Sequence, residues 1–171
     1  MIRPVIALLA ALSLGQVASA ELAPDPTVLV EDNDREMNKA ILAARKTLPA
    51  FLANTVDAEG YGPRGGFLKV RFEVNAQGAT DENIWVGPFA NFEGQDFVGL
   101  LANQPVAMPG LNAGDQVSFS YDMIVDWNLD AGDGRYYGDY TTRVVIARLD
   151  PSEAAAFKDR FIDPPVPAEW P

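Results

Sequence analysis

Three groups of side chains have the types and spacing to do chemistry. The first is "VDWNLDAGDG", where Asp126, Asn128 and Asp130 fall at every second position. A helix-loop-helix calcium loop takes oxygen ligands from its first, third and fifth positions, turns at a glycine in the sixth, and closes with a bidentate glutamate at the twelfth. Counted from Asp126, the sixth position is Ala131 and the twelfth is Tyr137, so the closing ligand is absent. The flanking runs also alternate as strands, and "DAGDG" reads as a hairpin connection in which Asp and Gly supply the turn conformation.

The second group pairs acids with aromatic rings: Glu82 near Trp85, and Asp126 beside Trp127. Two carboxylates can hydrolyse a glycoside, and an indole suits sugar stacking. The same adjacency equally suits a core tryptophan whose N–H finds an acceptor. The third group is polar and presents itself for binding. Arg143 shares a strand-like face with Thr141 and Val145, with Tyr140 on the other face, which places Arg143 to pair with Asp126 across a hairpin or to grip a carboxylate or phosphate. Asn103, in "GLLANQP", caps a turn or orients a ligand. Glu82 and Asp126 are therefore the catalytic candidates, and Trp85, Asn103, Trp127, Tyr140 and Arg143 the binding candidates.

What is missing narrows the chemistry further. The chain has no histidine and no cysteine. That removes the commonest proton shuttle, the thiol nucleophile and most zinc ligand sets, and no metal site or cofactor is expected. The serine motif G-x-S-x-G does not occur, and none of Lys39, Lys46, Lys69 and Lys158 has a recognised serine-lysine spacing.

Positioning these residues falls to a short series of elements. Asn33 with Glu36 forms a capping box, after which Met37, Ala40, Ile41, Ala44, Leu48, Phe51 and Leu52 keep helical spacing, with a kink expected at Pro49. Beyond "AEGYGPRGG" the period drops to two. Leu68, Val70, Phe72 and Val74 mark a first strand, "ENIWVGPF" a second, "QDFVGLLANQP" a third, "DQVSFSYDMIVDW" a fourth and "RYYGDYTTRVVIARL" a fifth. Asp150 and Pro151 open a short helix running to about Phe161. The fold expected is α+β: an N-terminal amphipathic helix on an antiparallel sheet of about five strands, closed by a short helix.

The ends and the charge bound the setting. Arg3, the apolar run Val5 to Leu14 and the small residues Ala18 and Ala20 have the form of a secretory signal peptide over residues 1–20. A leader (21–32), one domain (33–162) and a proline-rich tail (163–171) follow. The expected location is periplasmic or secreted, with cleavage near Ala20 and no stable membrane insertion, since the run is well short of the roughly 20 apolar residues a span needs. Without cysteine there is no cysteine-linked lipid anchor and no disulfide. A net charge of −11 argues against nucleic acid and anionic lipid as partners.

The pieces "AARKTLPAF", "ENIWV", "GLLANQP", "GDQVSF", "DMIVDW" and "GDYTTR", in this order, resemble a bacterial family, domain of unknown function 2314, the YegJ-like proteins. The resemblance spans about Asn33 to Leu149 and brings no assigned activity, substrate or catalytic residue. It implies one departure: the family often has histidine where this chain has Asn83. Two functions stay open, a non-enzymatic exported module that binds a protein, peptide or envelope component, and a histidine-free hydrolase that uses Glu82 and Asp126 on an envelope glycan or similar substrate.

Overall fold

The computed structural model describes residues 34–76, 78–92, 96–157 and 159–171. The expected signal peptide, leader and Asn33 cap lie outside them. Helix α1, Arg35–Thr55, starts at Asp34, whose side chain accepts from the Met37 amide at 3.0 Å. The cap therefore falls one residue later than Asn33. Met37, Ala40, Ala44, Leu48 and Phe51 form the buried stripe, and the helix continues through Pro49, which sits on the exposed side.

Six strands follow: β1 Gly66–Ala76, β2 Ala79–Asn91, β3 Phe97–Leu101, β4 Gln116–Phe119, β5 Ile124–Asp130 and β6 Tyr136–Gly138. They form one sheet in the order β4-β3-β2-β1-β5-β6, and every neighbouring pair is antiparallel. The α+β architecture is the one expected, with three differences in its later half. The expected fourth strand is interrupted by a 3-10 turn at Tyr121–Met123, which separates β4 from β5. The expected fifth strand stops at Gly138, and residues Tyr140–Ile146 form helix α2 instead. The last helix, α3 at Pro151–Ala154, continues only as a 3-10 turn to Phe157.

Register decides which side chains share a face. Leu68 stands opposite Val86 and Trp127, Val70 opposite Ile84, and Phe72 opposite Glu82. This face packs against Ala44, Leu48 and Phe51 of α1 and forms the main core. Lys69 stands opposite both Trp85 and Asp126, and Phe67 opposite Asn128, so these residues point the other way. Among the described residues no helix is long and apolar enough to cross a membrane.

Candidate functional site

Asp126 is 1% exposed, and its carboxylate is fully engaged. One oxygen accepts from the amides of Trp127 (2.8 Å) and Tyr140 (3.2 Å). The other accepts from the amide of Thr141 (2.7 Å) and from its hydroxyl (2.6 Å). Four donors match the roughly four lone-pair directions of a carboxylate. Tyr140 and Thr141 open α2, so a strand residue caps the helix. Asp139 holds the cap position by sequence, but its left-handed backbone (φ 56°) gives no side-chain cap bond.

Lys69 lies directly across from Asp126, 7% exposed. Its ammonium reaches the Thr141 hydroxyl at 3.2 Å and stands 4.6 Å above the Trp85 ring. Desolvation pushes the Asp126 carboxyl up from its ordinary value, and Lys69 and the Thr141 and Trp127 donors pull it back. The cluster is a sealed polar joint between β1, β5 and α2. No lone pair of Asp126 faces solvent, so this carboxylate has no free position from which to act on a substrate.

Glu82 is employed in the same way on the opposite face. Its two oxygens accept from the amides of Val106 (2.7 Å) and Ala107 (2.8 Å), fixing the long connection from β3 to β4. Register puts Glu82 with Phe72 on the α1 face and Asp126 with Lys69 on the other. The two acids therefore share no cleft, which removes the geometry a carboxylate pair needs. Glu82→Gln turns an acceptor into a donor facing an amide donor. Denaturant unfolding should show a loss of about 1–3 kcal/mol, with hydrogen exchange at Val106 and Ala107 accelerated first. Unchanged exchange there would contradict the anchoring role.

The two tryptophans are separated likewise. Trp85 packs with Phe67 beneath Lys69, and Trp127 lies on the α1 face, stacked on Phe51 at 4.8 Å. The Trp127 indole donates to the Thr47 hydroxyl at 3.0 Å, and Thr47 is 3.0 Å from the Tyr140 hydroxyl, so Trp127 and Tyr140 join α1 to α2. Both indoles are buried, and they lie on opposite faces of the sheet.

Arg143 is not on a strand and does not pair with Asp126. From α2 it donates to the carbonyls of Gly138 (2.9 Å) and Ile162 (2.7 Å), pairs with Asp163 (2.8 Å), and stacks over Phe161. Asn103 sits half-buried in the β3–β4 connection. Asp130 and Asp133 cap the amides of Gly132 and Arg135 in the β5–β6 hairpin turn. Sequence reasoning missed Lys69, Thr141 and Thr142. An isolated lysine in an alternating strand carries no local sign of burial.

Fold and site together define a helix-on-sheet domain whose inward acids act as caps for backbone amides. Residues 34–161 match the family described as an uncharacterized protein conserved in bacteria, DUF2314, and the chain belongs to that family. No curated protein and no solved structure matches it.

Proposed function

We propose that the protein is a non-enzymatic binding module exported to the bacterial envelope, and that it meets an extended segment of its partner at the outer edge of β4. The observation that carries this reading is the employment of Glu82 and Asp126: the two acids singled out as catalytic candidates both have their oxygens turned onto amides. The signal-like first twenty residues support export.

The two ends of the sheet differ. Alongside β5 and β6 the edge is covered by α2, by Arg45 donating to Ile124, and by a bridge from Tyr136 to Phe161. At the other end β4 is the outermost strand. Leu101 bonds to Asp115, so alternation of the antiparallel ladder turns the backbone groups of Gln116 and Ser118 outward. Val117 and Phe119 stay in the core while Gln116 and Ser118 are exposed, which fits strand addition along the edge.

Ser118→Pro deletes one outward N–H and leaves the bonds to β3 in place. Stability should fall by less than about 1 kcal/mol, and crosslinking to envelope proteins in cells should disappear. Partner capture unaffected by this variant overturns the edge assignment. Enzymatic turnover that depends on Glu82 or Asp126 overturns the binding reading itself, and mapping the mature N terminus to Glu21 tests export.

A further inference from the structure

The proline-rich tail is a structural part of the molecule. Tyr136 donates to Arg160, Ile162 donates back to Tyr136, and Gly138 donates to Pro165 at 2.7 Å. The segment then delivers Trp170 onto the aromatic floor, 5.8 Å from the Trp127 ring and 6.4 Å from Phe51, with Pro167 buried and Val166 packed on the same core. The side-chain hook is Arg143, through Ile162 and Asp163.

The attachment is uneven. Among the described residues, the last backbone bond between the body and this segment falls at Pro165; beyond it Trp170 bonds only back to Pro167. Pro164, Pro165, Pro167 and Pro171 have no N–H to offer a strand. The outer half is therefore held by burial of Val166, Pro167 and Trp170, a contact that another apolar segment can replace. The family match ends at residue 161, so the floor belongs to the family domain and the covering segment lies beyond it.

We propose that residues 164–171 form a detachable strap occupying a peptide groove, and that the groove receives a proline-rich, tryptophan-bearing segment of another protein. The strap shows the chemistry that fits: a P-x-x-P spacing at Pro164 and Pro167 followed by one indole on an aromatic floor. Proline-rich segments are recognised by aromatic-lined grooves because little conformational freedom is lost on docking. This site stands apart from the β4 edge and survives that assignment's failure.

The test uses the full chain and a labelled peptide of residues 161–171 as probe. Trp170→Ala should empty the seat in cis and bind the peptide at least tenfold more tightly than wild type, whose own strap competes at an effective concentration near millimolar. Asp163→Ala, which loosens the hook without touching the core, should strengthen peptide binding by up to about fivefold. A peptide with alanine at the Trp170 position should bind neither variant. Equal binding of both peptides, or no binding to either variant while each remains folded, overturns the proposal. So does strap exchange between two copies, seen as a concentration-dependent dimer of the wild type.

Discussion

Asp126→Asn should destabilise the protein by about 3 kcal/mol in denaturant unfolding at neutral pH, the largest loss expected from a change of so little volume. Two effects oppose one another. Removing the charge returns the desolvation cost that pushes the native carboxyl upward. Against that, an asparagine has one acceptor oxygen where four donors converge, so its NH2 group faces the Thr141 amide and hydroxyl or the Trp127 and Tyr140 amides. Lys69, across the ladder, also loses its attraction to the carboxylate. The donors left facing one another outweigh the relief, because a buried donor without an acceptor costs more than the net worth of the bond it made. Lys69→Met combined with Asp126→Asn should therefore recover about 1–2 kcal/mol relative to additivity. Hydrogen exchange should show α2 opening before the sheet. A single variant as stable as wild type, or a strictly additive pair, would refute the joint.

This joint explains why the first half of the fold could be read from the chain and the second half could not. α1 and β1 obey local rules: an acidic cap, an apolar stripe at helical spacing, then strict alternation. α2 breaks them. Thr141, Thr142, Val144, Val145 and Ile146 are β-branched, and five of them in a seven-residue helix read as a strand. What makes them helical is Asp126, fourteen and fifteen residues away, together with docking against Thr47. Tertiary capping overrides propensity here, and no window of local sequence contains both partners. Asp126 was legible as a candidate because it is an acid beside an indole. Its occupation was not, because that depends on the face each strand residue takes, and the bulge between Lys69 and Val70 is invisible in the sequence. The packing of the tail was not legible for a related reason: proline richness signals a chain that cannot form a ladder, yet Trp170 needs no ladder to pack.

The left-handed corner between β6 and α2 yields the second large effect. Gly138→Ala should cost about 3 kcal/mol or more, whereas Gly132→Ala should cost only the backbone term of about 1–2 kcal/mol. Both glycines have positive φ, +72° and +87°. They differ in surroundings. A Cβ at Gly132 meets nothing within 4 Å, while at Gly138 it would lie 2.2 Å from the Trp127 carbonyl oxygen. That oxygen is fixed by the Asp139 amide at 2.9 Å, and the Gly138 amide is tied to Pro165, so neither side can retreat without breaking a bond. The displacement would pass along Asp139 to Tyr140 and Thr141, the amides that Asp126 caps, and along Pro165 to the strap. Gly138→Ala should thus lose α2 protection and strap attachment together, read as simultaneous exchange at Thr141 and Trp170. If Gly132→Ala and Gly138→Ala cost the same, close backbone approach plays no part at this corner, and backbone conformation alone accounts for the glycine.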